Sequence, residues 1–305
     1  MIDFNNKPLF LAPMAGFSDL PFRNVVKKFG ADVTISEMIS SNALVYENKK
    51  TLHMLKKAEL EKPYIVQIAG SDTEIIKKAV LILNEIDFID GIDFNCGCPV
   101  NKVVKQCAGS ALLKNLDLFK KLVATIKEYN KKSLTSVKFR LGFDEKYPEK
   151  MAKICEELEV NFISIHGRTR KALYSGNADY ESIAYAKSQV KIPVIANGDI
   201  NALNANEVFN ITKCDGLMIG RASIGNPWIF YEIKERKKID KTLKKEIILF
   251  HFDEIVKHYG NLGVNIFKKH LHEYSKTYKN ACAFRAEINH YTKTSEMRNS
   301  IENFF

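Results

Sequence analysis

Two cysteines separated by a single glycine stand in DFNCGCP, residues 93–99, at the close of an apolar run. A thiol can ligate a metal, form a disulfide, fill a core or give up a proton, and its surroundings decide among these. C-x-C without a second pair at metal-ligand spacing does not read as a zinc site. Six cysteines scattered through a long chain predict reduced thiols and no structural disulfide. Either one thiol does chemistry beside a packing neighbour, or both are structural.

Other polar residues punctuate apolar runs in the same manner. Gln67 interrupts YIVQIAG (64–70), and Lys138 and Arg140 interrupt LTSVKFR (134–140). His166-Gly167-Arg168 closes NFISIHG (161–167), Asn197-Gly198-Asp199 closes IPVIANG (192–198), and Gly220-Arg221 closes DGLMIGR (215–221). Pro13-Met14-Ala15-Gly16 ends LFLAPMA (9–15), and Ser36-Glu37 ends DVTIS (32–36). A turn alone explains any one of these, since turns favour Gly, Asn and Asp, and His166 by itself reads as a core histidine. Eight such ends together point to a site. Lys138, inside an apolar run, needs an anion or a solvated ligand. Glycines after the last two runs, each followed by a helical pattern, suit a phosphate held on backbone N–H groups, with Arg221 supplying charge.

These ends need a scaffold that brings them together. The eighth run, IDGIDFN (89–95), completes a set of eight short apolar segments alternating with helical patterns. Ser18-Asp19 and Pro21 open a helix whose Phe22, Val25, Val26 and Phe29 share a face; Thr73 and Asn201 are read as caps of two others. Eight alternations predict a (β/α)8 TIM barrel, in which function gathers at the C-terminal strand ends. Beyond GRASIGNPWIFYEI the strand pattern stops. Residues 231–305 carry 15 Lys and Arg against 10 Asp and Glu, half of the chain's formal charge of +10, and five of its seven histidines. The expected division is a barrel over residues 1–235 and a small all-helical domain over 236–305, with the tail histidines on the surface or facing a polyanion.

The composition, 46 % hydrophobic and 27 % charged, is that of a globular chain, and no run approaches the roughly 20 apolar residues of a membrane span. The start lacks a basic segment followed by a long apolar one, so a cytoplasmic location without membrane attachment is expected. A pI near 9.1 favours a polyanionic partner, although lysine-rich genome bias gives the same balance.

APMAGFSDLPFR, QIAGSD, DFNCGCPVNKVVKQCAGSALL, VKFRLGF, HGRTR, IPVIANGDI and GRASIGNPWIF resemble, in order and spacing, the signatures of the tRNA-dihydrouridine synthases, bacterial type B. The resemblance implies an FMN-dependent barrel that reduces the carbon 5–carbon 6 double bond of uridines in tRNA with NADPH as reductant. It places Pro13, Met14 and Ala15 along the flavin, Gln67, Lys138 and His166 against its ring system, and Asn197, Gly198, Asp199, Gly220 and Arg221 on its phosphate. Asn95 and Arg170 would face the substrate, and Cys98 would be the proton donor. Cys96 departs from the family's pattern, where Met, Leu or Phe would stand, and is read as a packing residue.

The chemistry suits these types. An ammonium stabilises negative charge in a shielded site, and a free thiol, with a pKa of roughly 8.5, keeps its proton at pH 7 and can act as an acid. The basic tail would clamp a monomeric enzyme to tRNA, without metal. Two other readings share parts of the pattern. A flavin barrel acting on a free pyrimidine would need no basic tail, and an RNA-binding protein with an idle barrel would need no intact Cys98, Lys138 and His166.

Overall fold

The computed structural model describes residues 2–305, the Lys50 side chain excepted. Nine strands occur in chain order: β1 (Leu9–Leu11), β2 (Val33–Ile35), β3 (Ile39–Ser40), β4 (Tyr64–Ala69), β5 (Gly91–Cys96), β6 (Leu134–Arg140), β7 (Phe162–His166), β8 (Val194–Asn197) and β9 (Gly216–Ile219). All pair in parallel in the order β2-β1-β9-β8-β7-β6-β5-β4-β3, and β2 also pairs with β4. That last pairing closes eight strands into a TIM barrel. The two-residue β3 is extra, hung on the end of β4 through Ile39 and Ser40, and is too short to leave a sequence signal.

The helices that follow the strands are α1 (Leu20–Lys28), α2 (Ser41–Val45), α3 (Lys49–Met54), α4 (Thr73–Asn84), α5 (Asn101–Lys105), α6 (Leu116–Tyr129), α7 (Pro148–Glu157), α8 (Tyr180–Ser188), α9 (Ala205–Thr212) and α10 (Ile229–Glu235). Asp19 caps α1, accepting from the Phe22 amide, and Pro21 lies in its first turn. The cap of α4 is Asp72 rather than Thr73, because Asp72 Oδ1 is the atom that reaches the Ile75 amide. Asn201 likewise acts one turn ahead of α9, accepting from the amides of Leu203 and Asn204. Each of the larger helices turns one apolar stripe to the strands, as α6 does with Phe119, Leu122, Val123 and Ile126. Behind α1, Arg23 Nε meets Glu61 Oε1 at 2.6 Å, fully buried, and Thr34 of β2 donates to the same oxygen, so the desolvated charges are paired and bonded.

Alternate strand residues point into the barrel. Phe10, Val33, Ile65, Leu134, Phe162, Ile195 and Met218 fill its lower part. Above them the interior turns polar, with Gln67, Asp93 and Ser136, then Asn95, Lys138, His166 and Asn197. Cys96 points outward into the strand–helix layer, fully buried.

The chain ends in α11 (Lys241–Tyr259), α12 (Leu262–Tyr274), α13 (Ala281–Ile288) and α14 (Thr294–Phe304), which build a core of their own around Ile247, Phe252, Phe267, Leu271, Ile288 and Ile301. That core extends to Val25 and Trp228 of the barrel. Two tail histidines are not on the surface. His251 and His270 are fully buried between α11, α12 and Phe22, their rings 4.6 Å apart, because each lies on its helix's apolar face. Among the described residues no helix is long and apolar enough to cross a membrane.

Candidate active site

The loop after β5 is held from every side. Asn95 Oδ1 accepts from the amides of Gly97 at 3.1 Å and Cys98 at 2.9 Å, while Arg140 Nε donates to the Gly97 carbonyl at 2.8 Å. The Cys98 carbonyl accepts from Ser110 Oγ and from the Ser110 amide. Gly109 lets that segment approach: its φ is +60°, and a Cβ there would lie 2.9 Å from the Cys98 carbonyl oxygen. Past the loop, Arg170 Nη2 donates to Asn101 Oδ1 at 3.0 Å, and its guanidinium lies over the Phe143 ring. Cys98 is partly exposed at the mouth, whereas burial drives the Cys96 thiol well above its ordinary pKa and leaves it protonated and inert. The two cysteines are therefore structurally unequal.

Across the barrel, Lys138 Nζ donates to Asn197 Oδ1 at 2.9 Å, and Asn197 Nδ2 donates to the Met218 carbonyl at 2.7 Å. No carboxylate among the described residues forms an ion pair with Lys138. Burial, then the Arg140 charge, lowers its ammonium to about 8, with Asp93 and the Cys98 sulfur pulling the other way. It is thus largely charged at pH 7 and has N–H groups left for a ligand. Beside it, His166 is lowered to about 2 by burial, then by Lys138 and three arginines, and so is a neutral imidazole.

The far rim carries a charged triad. Asp199 accepts from Arg168 Nη2 and, at 2.9 Å, from Arg221 Nη2. Burial would raise the Asp199 carboxyl, but the Arg168 bond, the Ala178 amide and the two arginine charges carry it below its ordinary value. Gly198, with φ +122°, sits where a Cβ would strike the Ala178 methyl at 2.9 Å, so only glycine fits. Gly220 leaves a gap beside Ala12 and Met14. Met14 is fixed through its amide by Ser18 Oγ at 2.7 Å; Pro13 and Ala15 flank it on the same loop.

The structure therefore brings the sequence-named residues to one mouth: Pro13 to Ala15 and Gly220 on one side, Lys138, His166 and Asn197 in the centre, and Asn95, Cys98 and Arg170 opposite. Sequence reasoning gave no role to three members. Asp93 is bonded to Gln67; Arg140 pins Gly97; and the ring of Tyr174 lies under the guanidinium groups of Arg221 at 4.7 Å and Arg140 at 5.4 Å. Arg140 was visible as a second cation in VKFR. Tyr174 had no signal, being an exposed aromatic in a loop. Ser164 Oγ and Arg170 Nε are buried here without a protein partner. Among the described residues no group of three His, Cys, Asp or Glu side chains could hold a metal.

A closed parallel barrel with its buried polar residues at the C-terminal strand ends is an enzyme scaffold of the TIM-barrel class. A solved structure titled as TcOYE with pHBA shares that fold, with a TM-score of 0.56 at 8 % identity over 82 % of this chain and 94 % of its own. The family model for dihydrouridine synthase (Dus) matches residues 10–305, and the chain belongs to that family. It is 50 % identical over 308 aligned residues to the "Probable tRNA-dihydrouridine synthase" of Helicobacter pylori strain 26695, covering 100 % of this chain and 94 % of that protein. It is 38 % identical over 310 to tRNA-dihydrouridine synthase B of Escherichia coli K12, covering 97 % and 95 %.

Proposed function

We propose that this protein reduces uridines in tRNA to 5,6-dihydrouridine, holding FMN across the barrel mouth and drawing electrons from NADPH. The observation that carries the reading is a buried Lys138 without an ion-pair partner, close enough to feel the sulfur of a partly exposed Cys98 held on a fixed loop, in a chain of the dihydrouridine synthase family. The residues suit a flavin phosphate as well as its ring: the Gly220 backbone leaves room at the rim, and Arg221 lends charge there. Pro13, Met14 and Ala15 would line it, and Gln67, Lys138 and His166 would contact its ring system, with Asn197 and Asp199 fixing the residues between. Bound FMN would supply the hydride that adds to carbon 6 of the uracil ring.

The chain's own groups do the rest. Lys138 offsets negative charge in a site of low dielectric. Asn95 and Arg170 hold the base, and the Cys98 sulfur gives its proton to carbon 5 as charge builds there. Neutral His166 donates or accepts a hydrogen bond without adding a charge. A tRNA base must leave its stack to reach this mouth, so recognition would rest on phosphates and shape. The helical region, taken as a tRNA-binding domain over 236–305, supplies exposed Arg236, Lys237, Lys238 and Lys241 for that contact.

Position-by-position mass spectrometry of tRNA from cells with and without the gene tests the proposal. One or more dihydrouridines should revert to uridine in its absence and return on complementation; unchanged tRNA would refute it.

A further inference from the structure

Asp93 lies on β5 two residues before Asn95, one layer beneath the mouth, and is fully buried. Both of its oxygens are engaged: Oδ1 accepts from Ser136 Oγ and Oδ2 from Gln67 Nε2, each at 2.6 Å. Burial raises its carboxyl to about 6, against the Ser136 and Gln67 bonds and the Lys138 charge, so it is ionised at pH 7. An ionised carboxylate only accepts. Asp93 therefore dictates which end of the Gln67 amide faces it, and Gln67 Oε1 is left to accept from Asn95 Nδ2 at 2.8 Å. That bond in turn aims Asn95 Oδ1 at the amides of Gly97 and Cys98. Reversing either amide would set like against like at both of its ends.

We propose that Asp93 is a positioning residue for Cys98, setting the direction of a hydrogen-bond chain through Gln67 and Asn95 that fixes the loop presenting the thiol. The proposal rests on the reading of Cys98 as proton donor. Asp93 touches neither substrate nor the reacting thiol; it anchors the inner end of a chain of two amides whose outer end meets the Gly97 and Cys98 N–H groups, and both ends favour the same direction. Successive bonds that start at a charged acceptor also reinforce one another.

The test uses flavin-loaded wild-type protein, Asp93→Leu and Asp93→Asn, with the two half-reactions measured apart under anaerobic conditions. Leu keeps the branched shape, at a larger volume, and removes both acceptors. Asn keeps an oxygen for Gln67 and can turn its NH2 to the Ser136 hydroxyl, which rotates to accept. In D93L, reduction by NADPH should slow by no more than about fivefold, the cost of loosening Gln67 beside the ring, and so by less than reoxidation. Reoxidation of the reduced protein by tRNA lacking dihydrouridine should slow roughly 10- to 100-fold, the cost of a slightly misplaced acid. D93N should restore reoxidation to within about threefold. Independently of any cofactor, amide hydrogen exchange of the 96–101 segment should quicken about tenfold in D93L and not in D93N.

Reoxidation of D93L at the wild-type rate overturns the proposal, as does a D93N variant as slow as D93L, or equal slowing of both half-reactions. Should D93L not fold, the D93N rate and exchange still decide it: D93N slowed as predicted for D93L would overturn it. Wild-type reduced protein that tRNA fails to oxidise would overturn the proposed function itself, a result read before any variant is compared.

Discussion

The barrel mouth and the helical tail both bury polar side chains, but in opposite ways. At the mouth Gln67, Asp93, Asn95, Lys138 and Asn197 are joined by hydrogen bonds that cross from strand to strand. In the tail His251 and His270 lie among rings: Phe22, Phe267 and Tyr274 surround them, and three of their four ring nitrogens have no partner. A bonded network fixes direction, which chemistry needs; a ring stack fixes shape, which docking needs. Substitutions at the mouth should therefore change rates with little effect on RNA affinity, and those in the tail should do the reverse.

The largest break should come at Cys98. Cys98→Ala is expected to lower dihydrouridine formation about a thousandfold, within the range for loss of a general acid, with NADPH-driven reduction and tRNA binding unchanged. Stopped-flow absorbance for the two half-reactions and filter binding for tRNA check it. Next, Lys138→Met should slow reduction about a hundredfold, by removing a buried ammonium that has no carboxylate partner and has N–H groups free for a ligand, again at constant tRNA affinity.

The tail should answer to acid. Burial lowers His251 to about 3 and moves His270 well down in the same direction, with Lys269 adding to both and the His251 charge to His270. The unfolded chain binds protons that the fold refuses, so this stability is whole above the unfolded pKa near 6.5 and declines as pH falls below it. For His251 the loss is about 2 kcal/mol by pH 5. Asp19, facing the tail through Tyr259, is raised to about 6 and works in the opposite sense, gaining stability toward low pH. Protection factors of the amides in α11 and α12, taken against the intrinsic exchange rate at each pH, should fall between pH 7 and 5, and His251→Phe with His270→Leu should flatten that slope. A slope unchanged by the double substitution would remove the histidines from the account. The smallest effect is expected from Arg236, Lys237 and Lys238 changed together to Ala: KM for tRNA up about tenfold, kcat unaltered, and the salt slope of binding reduced by about 0.7–0.9 for each phosphate no longer neutralised.

Much of this was legible because periodicity and punctuation are local. Runs such as LTSVKFR and IPVIANG fall on β6 and β8, and the residues that end them are the residues of the mouth. Partnerships across the barrel were not legible. Gln67 and Asp93 stand 26 positions apart, and no pattern in either strand announces that one orients the other. The tail failed for a different reason: His251 and His270 share their helices' apolar faces, but histidine is counted as polar, so the stripe was missed. The caps show a finer limit. Asp72 and Thr73 are both good cap types, and only geometry chooses Asp72.

One measurement bears most directly on the central claim, that this mouth passes electrons to uridine in tRNA. Purified protein, loaded with FMN and reduced by NADPH without oxygen, is mixed once with tRNA from cells lacking the gene. Flavin absorbance should return as one dihydrouridine forms per flavin oxidised. Flavin that stays reduced, or returns with the tRNA mass unchanged, would contradict it.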